Sequence, residues 1–136
     1  MTDKELLGTL VLVHPGLEND PAGRKGDIGI VAYVDRPNEE VYLRFTDESE
    51  AIYPSKDLFS LKDRQNIFTD DALDGGLKNL ENYKDLYKIT MLQEMGRSTD
   101  LWQALEVARE NPAIWTNSLT NVADSLGQRQ FQSIGR

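Results

Sequence analysis

The chain has 136 residues, 39% of them hydrophobic and 28% charged, with a net charge of −8. That composition suits one globular domain, or a small domain with an appendage, and it lacks the positive field that phosphate-rich partners require. Cysteine is absent, which excludes disulfide scaffolds, thiol catalysis and thiolate metal sites and fits a reducing compartment.

The acidity is spread along the chain. Residues 1–66 carry 8 Lys/Arg against 13 Asp/Glu, and residues 67–136 carry 7 against 10. The N-terminus, Met1 to Leu7, has no basic segment leading into an apolar stretch, so no signal peptide is expected. The longest apolar run, Ile28 to Val34, falls far short of the roughly 20 residues that cross a bilayer. The expected location is cytoplasmic, without membrane contact.

The first 61 residues read as strands. Thr9 to Val13 is a short aliphatic run. His14 to Lys25 is a long loop, marked by Pro15-Gly16, Asp20-Pro21 and Gly23. Asp27 to Val34 is the second strand, and Asp35 to Asn38 a turn. Glu40 to Phe45 alternates, with Val41, Leu43 and Phe45 on one face and Tyr42 and Arg44 on the other. Ala51 to Tyr53 is a short strand, Pro54 to Asp57 suits one helical turn, and Leu58 to Leu61 closes the series.

Within this region Gly26-x-x-Gly29-x-Val31-x-x-Val34 is followed by a turn and then by Val41-x-Leu43. Glycines at such positions permit bulges and close backbone contact. The pattern resembles the KOW branch of the SH3-like barrel superfamily. The resemblance covers about 55 residues, less than half the chain, and implies a five-stranded barrel. KOW modules occur in transcription elongation and ribosomal proteins, where they contact RNA or protein. Such barrels host unrelated tasks, so the resemblance speaks to fold before function.

Residues 62–79 are polar and read as a connector, with a short turn at Asp63 to Phe68. Residues 80–127 read as three helices. Leu80 to Met95 presents a broad apolar arc of Leu80, Tyr83, Leu86, Tyr87, Met91 and Met95, which predicts packing on two sides. Gly96 suits its C-terminus, and Thr99 or Asp100 can cap the next helix. That helix carries Leu101, Ala104, Leu105 and Ala108 on one stripe. Asn111-Pro112 ends it and opens a third helix with Trp115, Leu119, Val122 and Leu126 aligned. Residues 128–136 form a polar tail. The expected class is α+β, strands first: a barrel over 1–61, then a three-helix region.

Few constellations carry chemistry. Asp70, Asp74 and Glu81 have the spacing of the first, fifth and twelfth positions of an EF-hand calcium loop, with Gly75 at the sixth. Ala72 and Lys78 break that pattern, and a polar turn leading into a helix explains the same residues. His14, the single histidine, ends a strand with no metal-ligand spacing around it. No Gly-x-Ser-x-Gly or phosphate-loop motif occurs. Gly23-Arg24-Lys25-Gly26 is the most basic patch, and it reads as a solvated loop. Glu39, Glu40, Asp47, Glu48 and Glu50 flank one hairpin, where charge guards strand edges. The helix after Met95 to Asp100 carries Asp100, Glu106 and Glu110 against Arg109, so a DNA-reading helix is rejected.

The aromatic residues are the better lead. Tyr33, Tyr42 and Tyr53 lie on or beside the strands, and Trp102 sits at the edge of its helix stripe. Surface aromatics on such barrels make peptide grooves. The expectation is therefore a non-enzymatic module without cofactor. It would bind a protein partner through Tyr33, Tyr42, Tyr53 and Trp102, and not nucleic acid. A KOW-type accessory factor of transcription or translation and a weak calcium protein are the alternatives. An apolar stripe on the Leu101 or Trp115 helix leaves self-association open.

Overall fold

The computed structural model describes residues 6–68 and 79–126. Strands come first and helices follow, so the class is α+β. Six strands form one sheet: β1 (Leu10–Val13), β2 (Ile28–Asp35), β3 (Glu40–Arg44), β4 (Glu50–Pro54), β5 (Leu58–Leu61) and β6 (Leu119–Asn121). Their order is β4-β3-β2-β1-β5-β6. The outermost strands, β4 and β6, are not paired with one another, so hydrogen bonding leaves the sheet open where five strands closed into a barrel were expected. The described chain divides into two compact units, residues 6–60 with 120–126 and residues 61–68 with 79–119.

In the first unit the polypeptide alternates as pleated strands must. Val11 and Val13 of β1, Val41 and Leu43 of β3, and Tyr53 of β4 meet Leu6, Phe45, Leu58, Val122 and Leu126 in one buried cluster. β2 departs from alternation. Val31 pairs with Leu43 and Tyr33 with Tyr42, which leaves Ala32 as an extra residue in a β-bulge. The bulge lets Val31 and Val34, three apart, both face the core. It also sends Tyr33 outward, where strict alternation from Val31 would have buried it.

The two glycines ahead of the bulge work differently. Gly26 adopts φ +82°, a left-handed conformation that costs an L-residue about 1–2 kcal/mol. Gly29 is needed for space: a Cβ there would lie 3.0 Å from the Phe45 ring and 3.3 Å from the Arg44 carbonyl oxygen.

The second unit holds α1 (Leu80–Met95), α2 (Ser98–Arg109) and the single turn α3 (Trp115–Ser118). The Asn79 side chain accepts the Glu81 N–H at 2.8 Å and starts α1. Gly96, at φ +77°, ends it by donating to the Leu92 carbonyl at 3.1 Å. The arc expected to be buried is largely the wrong face. Leu86, Ile89 and Leu92 are buried, whereas Leu80, Tyr83, Tyr87, Met91 and Met95 are exposed.

The N-cap of α2 is Arg97 instead of Thr99 or Asp100. Asp100 sits in the first turn, and its carboxylate accepts from the Arg97 amide at 3.2 Å and the guanidinium at 2.8 Å. Those bonds, the guanidinium first, hold the Asp100 carboxyl below its ordinary range although the residue is buried. The expected third helix is interrupted. It stops at Ser118, whose Oγ donates back to the Ile114 carbonyl at 2.8 Å, and Leu119–Asn121 is extended as β6. Helix resumes over residues 122–126, where the Asn121 side chain accepts the Ala123 N–H at 2.9 Å.

Candidate functional site

The outer face of β2, β3 and β4 carries the exposed apolar side chains of the sheet. Register places Tyr33 of β2 opposite Tyr42 of β3, and Tyr42 opposite Ile52 of β4. The three therefore form a row across the strands. The tyrosine rings meet edge to face, centroids 5.3 Å apart and planes at 89°, a geometry worth roughly 0.5–1.5 kcal/mol beyond burial. Tyr33 is 56% exposed and Tyr42 36%. Among the described residues neither hydroxyl has a hydrogen-bond partner.

A second row lies beside the first. Ile30 is exposed opposite Arg44, and Arg44 opposite Glu50. Arg44 Nη2 and Glu50 Oε2 are 2.9 Å apart in a solvated ion pair. The face thus offers Ile30, Tyr33, Tyr42 and Ile52 with one charge pair at its border. Ile30 and Ile52 escaped the sequence reading. The signal for Ile52 was present in Ala51-Ile52-Tyr53, whose middle residue must face away from its neighbours.

Tyr53 does not belong to this surface. It is 3% exposed, and its hydroxyl donates to Asp20 Oδ1 at 2.6 Å. Alternation along β4 turns it into the core, and the loop after β1 supplies the carboxylate that makes burying a phenol tolerable. Burial first, and then the Asp20 bond and charge, push the Tyr53 hydroxyl above the ordinary tyrosine range. Trp102 lies in the other unit, half-buried on α2.

The basic loop is internally committed. Arg24 donates to both oxygens of Asp47 at 3.1 Å, approaches Asp27 at 3.3 Å, and stacks 4.2 Å above the Phe45 ring. Ser49, through its hydroxyl at 2.6 Å and its amide at 3.0 Å, and then Arg24 bring the Asp47 carboxyl down to about 2. His14 Nδ1 accepts the Gly16 N–H at 2.8 Å, and its ring lies against Phe59, so the histidine shapes its loop.

Asp70 and Asp74 lie outside the described residues. Glu81 occupies the first turn of α1. Among the described residues no three His, Cys, Asp or Glu side chains group as metal ligands. Every described carboxylate that departs from its ordinary range is shifted downward, which is opposite to what a general acid needs.

An open cleft of about 490 Å³ lies among Asp85, Glu106, Arg109, Glu110 and Asn111. The Asn111 amide donates to Asp85 at 2.8 Å and to Asn82 at 3.0 Å, and Arg109 contacts Glu110 at 2.9 Å. With three carboxylates to one guanidinium the lining keeps a net negative charge, and its polar groups bond largely to one another. No described helix is long and apolar enough to cross a membrane.

Set against protein-family models, curated proteins and solved structures, the chain finds no match.

Proposed function

We propose that this protein is a non-enzymatic interaction module whose protein partner docks on the outer face of β2, β3 and β4. The carrying observation is the Tyr33–Tyr42–Ile52 row, an exposed apolar strip with two phenolic hydroxyls at its surface. Tyrosines of this kind supply large contact area at small entropic cost and dominate protein interfaces.

In this reading the strand-rich unit is an SH3-like barrel of KOW type. The order β4-β3-β2-β1-β5, the long loop between β1 and β2, and the 3-10 turn at Ser55–Asp57 just before β5 support that assignment. The KOW likeness also raises RNA as a partner. A net charge of −8 and the engagement of Arg24 and Arg44 by Asp47 and Glu50 favour protein instead.

The test is affinity capture with the full chain, run beside Tyr33→Ser/Tyr42→Ser, a variant that leaves the core intact. A partner retained by the wild type and lost by the variant supports the reading. Equal capture by both, or an RNA complex in gel shift that dissolves steeply with salt, overturns it.

A further inference from the structure

Helix α1 has a second apolar face. Opposite the buried Leu86, Ile89 and Leu92, the side chains of Leu80, Tyr83, Tyr87, Met91 and Met95 are between 42% and 64% exposed. The last four are spaced by four residues, which makes a continuous ridge on one side of a helix. Ridges of this spacing interdigitate with one another in the commonest class of helix packing. The chain spends four large side chains on a surface where Lys, Glu or Gln would be easier to solvate.

We infer that this ridge is a self-association surface, occupied by α1 of a second copy running antiparallel. Reversal makes the ridge complementary to itself. With the two-fold axis level with residue 89, Tyr87 falls beside Met91 of the second copy and Tyr83 beside Met95. All four contacts then bring a thioether to an aromatic ring, a favourable pairing.

A parallel pairing would instead set Tyr87 beside Tyr87 and Met91 beside Met91, without the thioether–ring contacts. Every antiparallel contact occurs twice, as a two-fold interface requires. The exposed ridge offers on the order of 500 Å² per copy, at the small end for specific interfaces, which fits a reversible dimer that dissociates on dilution. This surface lies on α1 and does not depend on the partner proposed for the sheet.

Sedimentation equilibrium of the full chain from about 1 to 500 μM is the test. The expected mass rises with concentration from that of one 15.4 kDa chain toward twice that value. Tyr87→Glu/Met91→Glu should hold the chain at monomer mass throughout, with an unchanged circular dichroism spectrum and, near 1 μM where the wild type is also monomeric, an unchanged melting temperature, because both positions are solvated. Orientation is read by cross-linking, which the absence of native cysteine makes clean. Tyr87→Cys chain mixed with Met91→Cys chain should oxidise to covalent dimer several-fold faster than either variant alone. Monomer mass at every concentration, a dimer indifferent to the glutamate pair, or equal cross-linking in the separate variants overturns the inference.

Discussion

The Tyr53 hydroxyl and Asp20 Oδ1 are 2.6 Å apart, a bond that ties β4 to the loop after β1 across 33 residues of chain. Burial alone would raise the Asp20 carboxyl, but the Tyr53 hydroxyl and the amides of Lys25, Gly23 and Arg24 outweigh it and hold the group below its ordinary range. Tyr53 moves the other way. A phenol raised on folding adds stability that is complete below about pH 10 and lost as pH climbs through the folded value. Asp20 adds stability that is complete above about pH 4 and lost in acid. Tyr53→Phe should therefore cost about 1–2 kcal/mol at pH 7, near 3–6 °C in Tm. It should also flatten the decline in Tm between pH 10 and 12. Thermal melts across that range check both effects, and parallel alkaline limbs in the two proteins would count against the bond as their source.

Gly29 lies close against the Phe45 ring and the Arg44 carbonyl. An added Cβ would meet Phe45 carbons at 3.0 and 3.2 Å, and that ring cannot retreat freely because Arg24 covers its face at 4.2 Å. Gly29→Ala should cost about 1–3 kcal/mol, and Gly29→Val more. Phe45→Leu in the same chain should recover part of the loss, giving a non-additive double-mutant cycle. Urea unfolding with an unchanged m-value reads the difference. Additive losses would place the strain elsewhere.

Sequence periodicity located β1 to β5 because each pairs alternating burial with turn residues at its ends. Val31-x-x-Val34 even carried the mark of the bulge, since two core valines three apart cannot share a face of a regular strand. The faces of α1 were less legible. Tyr and Met count as apolar whether they meet a core or water, so Tyr83, Tyr87, Met91 and Met95 drew the expected arc away from Ile89 and Leu92, leaving Leu86 as its one buried member. β6 was hidden for a related reason. Leu119, Val122 and Leu126 sit at helical spacing, but the extended segment over Leu119–Asn121 is set by its place at the sheet edge, a long-range demand that no local pattern announces. At the sheet surface, Tyr42 was identified by alternation, whereas Tyr53 was misread because its neighbours gave no sign that Asp20 would come to its hydroxyl.

Asn121 uses its one amide twice. Nδ2 donates to the Lys56 carbonyl at 2.7 Å, and Oδ1 accepts the Ala123 N–H at 2.9 Å. The first bond fixes the returning chain to the 3-10 turn before β5. The second caps the helical stretch that delivers Val122 and Leu126 to the core. Asn121→Ala removes both and should cost about 1–2 kcal/mol. Asn121→Asp keeps the cap but turns a carboxylate toward the Lys56 carbonyl, so it should recover little of that loss at pH 7. Lowering the pH to about 3 protonates the new carboxyl and restores a donor. The gap between Asn121→Asp and wild type should therefore narrow in acid, while the gap for Asn121→Ala stays constant. Melting curves of the three proteins at pH 7 and pH 3 decide it, and identical pH behaviour of the two variants would show that the Lys56 bond contributes nothing.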